Sequence, residues 1–190
     1  MEENNVNKPE APAKNYTWYK FSNVFTVLCD TLEAAIAAVM VAILLLTLVF
    51  RMGYVKGGSM LPTMVEGDKY ILSDVFYTPE QGDVVVFSPD ATVMTDEPLW
   101  VKRVIATEGQ EVYINPDDNC VYVDGIKLDE SYLAPGTATI AKSTENPITV
   151  PEGHVYLMGD NRIVSRDSRD IGCVDIRRII GRVLFQLSNS

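Results

Sequence analysis

Histidine is almost missing from this chain: 190 residues contain one, His154. A serine that attacks a carbonyl usually hands its proton to a histidine. His154 stands in the apolar run His154-Val155-Tyr156-Leu157-Met158 and reads as the start of a strand, with no catalytic role. A Ser–His pair and a histidine-rich metal site are therefore left without their residues. Cysteine is scarce as well. Cys29, Cys120 and Cys173 show no Cys-x-x-Cys or Cys/His spacing, so no metal site is expected and no cofactor motif is present. An odd, sparse set is not a disulfide framework, although a Cys120–Cys173 pair stays open for an extracytoplasmic domain. Basic runs are absent too, and the formal net charge is −10. Nucleic-acid binding is excluded, because phosphate contacts need clustered Lys and Arg. The acidic residues are spread through turns and describe a solvated surface.

One feature is present in excess. Ala34 to Phe50 reads AAIAAVMVAILLLTLVF, 17 residues without a charge. At about 1.5 Å per residue this spans about 25 Å, and residues 24–33 extend it toward the roughly 30 Å of a bilayer core. Asp30 and Glu33 then lie near the interface on adjacent helix faces. A buried helix of a soluble protein is the other reading of such a run. A cleavable signal peptide would end in a small-x-small site, whereas this run ends at Phe50-Arg51-Met52. The segment 24–50 is expected to be a retained transmembrane anchor that places the protein in a lipid bilayer. Lys8, Lys14 and Lys20 precede it while Arg51, Lys56 and Lys69 follow it, so charge does not decide its orientation. Residues 1–23 are expected to form a disordered tail.

After Arg51 the periodicity becomes that of strands. Val84–Phe87, Leu99–Ile105, Glu111–Ile114, Cys120–Val123, His154–Met158 and Arg182–Phe185 are separated by turn signals such as Gln81-Gly82-Asp83, Asn115–Asn119 and Asp124-Gly125. Residues 51–190 should thus form a mainly β domain, with about 111–150 as a small inserted β region. The one short helical candidate follows Ser59, with Pro62 in its first turn.

Three pieces of this domain could carry chemistry. Ser59 follows Gly57-Gly58, which allow a tight turn and a close approach by a substrate carbonyl; backbone N–H groups there could form an oxyanion hole. Lys102 alternates with Trp100 and Val104 on a strand face. To act as a base it must be neutral near pH 7, which needs a fall of about three units from about 10.4; apolar burial can supply that. The third is Gly159-Asp160-Asn161-Arg162-Ile163-Val164-Ser165-Arg166-Asp167-Ser168-Arg169, either a polar surface loop or a buried network that orients a catalytic group.

The order of anchor, Ser59-Met60-x-Pro62-Thr63, Gly82-Asp83-Val84-Val85-Val86-Phe87, Lys102-Arg103 and the Gly159–Arg169 block resembles bacterial type I signal peptidases over residues 34–185. The resemblance implies a signal-peptidase-type sheet or partly open barrel behind one transmembrane helix. It implies a membrane-bound serine endopeptidase that removes signal peptides from exported preproteins, cutting after small residues at −1 and −3. By the same likeness Ser59 is the nucleophile and Lys102 the general base. Ser165 orients the lysine, Asp167 and Arg169 form an ion pair behind that serine, and Asp160 and Arg162 belong to the same support. The Ser59 backbone and Gly58 form the oxyanion hole, and Val55, Met60, Val86 and Val101 lie at the pockets for small side chains. Gly57 stands where many Gram-negative members carry a second oxyanion-hole serine. With the short soluble part it points to a Gram-positive-like short form. The catalytic domain is expected outside the plasma membrane, with the secretion translocon a possible partner.

Two readings compete. Signal-peptidase-like assembly factors for pili lose catalytic residues, and both Ser59 and Lys102 are present here. Self-cleaving Ser/Lys proteins related to the SOS repressors carry a DNA-binding domain, for which this chain has no basic module.

Overall fold

The computed structural model describes residues 16–93, 95 and 97–188. The chain divides into two units, residues 1–46 and 47–190. In the first, a helix α1 runs Tyr16–Val49. Its stretch Asn23–Thr47 is long and apolar enough to cross a membrane. Apolar side chains lie on every face of it and are exposed, so it has no polar side to present to water. The helix begins within the segment expected to be a disordered tail, since residues 16–23 are helical. Tyr16, Trp18, Tyr19 and Phe21 follow the last proline of the tail, Pro12, and nothing in them breaks a helix. Residues 1–15 lie outside the described residues.

The second unit is built from strands β1 Arg51–Tyr54, β2 Lys69–Ser73, β3 Val84–Phe87, β4 Trp100–Thr107, β5 Glu111–Asn115, β6 Cys120–Val123, β7 Ile126–Lys127, β8 Ile148–Thr149, β9 His154–Met158, β10 Val174–Asp175 and β11 Ile179–Leu187. A one-turn helix α2, Ser168–Ile171, separates β9 from β10. Seven strands form a curled, half-barrel sheet in the order β1-β2-β11-β3-β4-β9-β10, antiparallel at every pairing. Register shifts interrupt β11 and β4; such bulges add local bend and twist. The insertion forms a separate four-stranded sheet, β7-β6-β5-β8. The strands expected at Val84–Phe87, Cys120–Val123 and His154–Met158 are found with those limits.

Alternation sorts the core. Val85, Phe87, Val104, Val155, Leu157 and Val174 pack together on one side of the main sheet. Val86 of the same strand joins Val55, Met60, Met64, Tyr70 and Leu72 instead. A third cluster, with Ile105 and Met158 from the main sheet and Val112, Ile114, Val121 and Val123 from the insertion, fastens the two sheets together. Successive side chains of a strand point to opposite faces, which is why Val85 and Val86 serve different clusters.

One expectation is corrected. The segment after Ser59 is a succession of turns, not a helix. Pro62 has no N–H to give, and the Ser59 carbonyl, which a helix would use internally, accepts a bond from Asn161 N at 2.9 Å. Strands β1 and β2 were not expected. Met52 and Tyr54 of β1 are largely exposed, so that four-residue strand buries no apolar face. All three cysteines are free, Cys120 and Cys173 included.

Phe87 is fully buried and meets Trp100, its cross-strand partner, edge to face with ring centroids 6.0 Å apart. Replacing it opens a cavity between β3 and β4. We expect Phe87→Ala to destabilise the second unit by about 3–5 kcal/mol, measured by denaturant unfolding followed by tryptophan fluorescence.

Candidate active site

Strand β4 presents Lys102 on the face that it shares with Trp100 and Val104, opposite Val85 of β3. These neighbours leave the lysine 3% exposed. Its Nζ donates to Ser59 Oγ at 2.8 Å and to the carbonyl of Val101 at 2.9 Å. The Nζ also stands 5.5 Å from the centre of the Trp100 ring. Burial lowers its pKa to about 8, against the upward pull of Asp167 and Asp160. At pH 7 about one molecule in ten then carries a neutral amine there, compared with about one in 2,500 for a solvated lysine.

That pull is moderated because both carboxylates are held by arginines. Asp160 accepts from Arg103 Nε at 2.9 Å and Nη2 at 2.6 Å, and from the Thr63 hydroxyl. Asp167 accepts from Arg169 Nε and Nη2, both at 2.8 Å. Burial alone would raise the Asp167 carboxyl, yet the Arg169 guanidinium outweighs it and holds the group below the usual carboxylate range. Asp167 is also the N-cap of α2, in a reciprocal capping box with Asp170, an arrangement that satisfies two otherwise orphaned backbone donors.

The Gly159–Arg169 block is thus largely a buried brace: four of its five charged residues, Asp160, Arg162, Asp167 and Arg169, are at most 3% exposed, while Ile163, Val164 and Arg166 face solvent. It reaches the serine through backbone. Asp167 Oδ2 accepts from Gly159 N at 3.1 Å, Asn161 N donates to the Ser59 carbonyl, and Asn161 Nδ2 donates to the Gly58 carbonyl at 3.0 Å. The approach is so close that a Cβ on Gly159 would come within 2.2 Å of Ser165 Oγ and 2.5 Å of the Ser59 carbonyl oxygen. Only glycine fits there. The Ser59 N–H donates to no acceptor among the described residues, so it is free to point at a developing oxyanion.

Not every expected contact forms. Ser165 makes no bond to Lys102. Its Oγ is fully buried and has no hydrogen-bond partner among the described residues, because the lysine amine is turned to Ser59 and the Val101 carbonyl. Within the support shared by Asp160 and Arg162, Asp160 pairs with Arg103. Arg162 reaches instead to the insertion, with Glu130 at 2.6 Å and Thr139 Oγ1 at 2.6 Å. Sequence reasoning missed Arg103, Thr63, Glu130 and Thr139 in this network. Arg103, adjacent to Lys102, offered the one readable signal, and the contacts of the other three depend on distant segments.

A cleft of about 500 Å³ opens beside the dyad. Val55, Met60 and Val101 line it together with Ser59, Lys102, Leu99 and Trp100. Val86, expected at a pocket, is fully buried behind this wall in the cluster with Val55 and Met60. Among the described residues no cluster of His, Cys, Asp and Glu could hold a metal ion.

A sequence profile for signal peptidases, peptidase S26, matches residues 28–188. The chain belongs to this family. It is 34% identical to a probable signal peptidase I-1 of Synechocystis, over 83% of this chain and 81% of that protein. It is also 34% identical to the signal peptidase I of Bacillus amyloliquefaciens, over 80% and 81%. A solved signal peptidase I of Enterococcus faecalis is 31% identical, covering 57% of this chain and 98% of that one, with a TM-score of 0.45. The cyanobacterial and Bacillus relatives are equally similar, so identity does not separate a Gram-positive-like form from others. The protein is a serine peptidase of the signal peptidase family, with a mainly β catalytic fold.

The brace makes a stability prediction. Arg169 is buried, and Asp167 is its carboxylate partner. Asp167→Asn leaves a buried guanidinium without its countercharge, and we expect a loss of about 3–5 kcal/mol in denaturant unfolding.

Proposed function

We propose that this protein is a membrane-anchored signal peptidase that removes N-terminal signal peptides from exported preproteins with a Ser59/Lys102 dyad. The observation that carries this reading is the 2.8 Å contact between Lys102 Nζ and Ser59 Oγ in a nearly dry setting. In the neutral state of the amine the same contact has the Ser59 hydroxyl donating to Nζ. Lys102 takes that proton as Ser59 Oγ attacks the scissile carbonyl, and the resulting ammonium returns it to the leaving amine. The oxyanion is met by the Ser59 N–H. Water then hydrolyses the acyl-enzyme, with Lys102 again serving as base.

The substrate lies extended in the cleft, and the small side chains at −1 and −3 sit against Val55, Met60 and Val101. Bulkier chains would clash with this floor. Asp167, Arg169, Asp160 and Arg162 act as positioning residues in the block whose Asn161 holds the carbonyls of Gly58 and Ser59. Ser165 lies within reach of this arrangement as a buried hydroxyl behind Gly159. The helix Asn23–Thr47 serves as a single transmembrane anchor, with the catalytic unit on the outer side of the plasma membrane, where preproteins emerge from the translocon.

Preprotein cleavage by the full chain in detergent tests the dyad. Ser59→Ala and Lys102→Met should each lower kcat by about 10⁴-fold or more; unimpaired turnover in either variant rules the dyad out. The base must be neutral to act, so kcat/KM should rise with pH through an apparent pKa of about 8 and level off above it. A limb near 10 would contradict the role of burial.

A further inference from the structure

The cleft has two walls. One is β1 with its continuation, Met52 to Lys56, and the other is the approach to β4, Glu97 to Lys102. One ion pair among the described residues joins them: Lys56 Nζ lies 3.0 Å from Glu97 Oε1 and 3.2 Å from Oε2. The two residues are 41 positions apart in the chain, and both line the cleft. Their side chains are 57% and 45% exposed, whereas Val55, next to Lys56, is 2% exposed. At this point the wall sets an apolar side chain, Val55, at the floor beside a charged one, Lys56, at the rim.

An extended peptide alternates its side chains between two faces. With the −1 and −3 side chains on the floor, the −2 side chain faces the rim. We propose that the Lys56–Glu97 pair is the subsite for the −2 residue and keeps the enzyme indifferent to the sign of charge there. This inference rests on the proposed peptidase reading and adds a specificity determinant to it. While the pair is closed its two charges balance. An acidic −2 side chain can take Lys56 from Glu97, and a basic one can take Glu97 from Lys56, so neither sign is favoured. The pair is exposed and easily exchanged. Removing one member leaves the other to choose the substrate by its own charge.

The test uses the full chain in detergent and three otherwise identical signal peptides with Glu, Lys or Ala at −2. For the wild type the Glu and Lys peptides should be cleaved with similar kcat/KM. Glu97→Gln frees Lys56 and should favour the Glu peptide over the Lys peptide by about fivefold, the size of one charge contact in a highly solvated setting. Lys56→Gln should reverse the preference by a similar factor, and both preferences should fade in high salt. The ratio within each variant is the readout, so a general fall in activity does not blur it. Unchanged ratios in both variants, with the Ala peptide still cleaved, overturn the subsite assignment alone. Failure of the wild type to cleave any of the three overturns the peptidase reading itself.

Discussion

An amine removed from water prefers to be neutral, and the rest of the site depends on that preference. Lys102 is surrounded by Trp100, Val104 and Val85 on a sheet face, and its amine finds a hydroxyl and a carbonyl, but no directly bonded carboxylate. A carboxylate in contact would have fixed it as an ammonium. Two carboxylates do stand near enough to oppose the shift, and each is engaged by an arginine. The lysine thereby stays within reach of neutrality, which is the condition the proposed mechanism sets.

Holding this balance requires a rigid surround, which the charged block supplies. Arg169 locks Asp167, Asp167 caps α2 and holds Gly159, and the neighbouring Asn161 holds the carbonyls of Gly58 and Ser59. Arg162 extends the same brace to Glu130 and Thr139 of the insertion. Lys142, also from the insertion, donates to the Ser165 carbonyl at 2.7 Å and to Asp170 at 2.8 Å. The small second sheet is therefore tied to the site by polar contacts as well as by the shared apolar cluster. Buried networks of this kind are worth having only when their members are satisfied, and the Ser165 hydroxyl is the single buried side-chain polar atom left without a partner among the described residues.

The apolar floor and charged rim of the cleft follow from one local fact, the adjacency of Val55 and Lys56 at the end of β1. A strand edge gives an extended peptide backbone partners, and the two faces of that peptide meet different chemistry. Floor and rim thus divide the work between size selection and charge tolerance in the proposed reading.

Much of this was legible in the residues. The apolar run before Phe50, the Val84–Phe87 strand and the insertion hairpin follow from periodicity and turn chemistry, because those signals are local, whereas the roles of Ser59 and Lys102 came from the resemblance of the ordered motifs to signal peptidases. Strand β1 was not legible, since it is an exposed four-residue edge with no buried face; β2 was missed although it is an inner strand whose Tyr70 and Leu72 alternate into the core. The turn after Ser59 misread as a helix because its carbonyl partner, Asn161, lies 102 residues away. The same holds for the choice of partners in the brace. Composition fixes that the chain has arginines and carboxylates for a network, but not that Arg103 rather than Arg162 meets Asp160. Sequence alone determined the fold class, the anchor-like helix and the reactive residue types. Tertiary structure alone decided that Ser59 and Lys102 touch, that the lysine is buried, and that Ser165 makes no bond to it, because burial and contact arise only when distant segments of the chain are packed together.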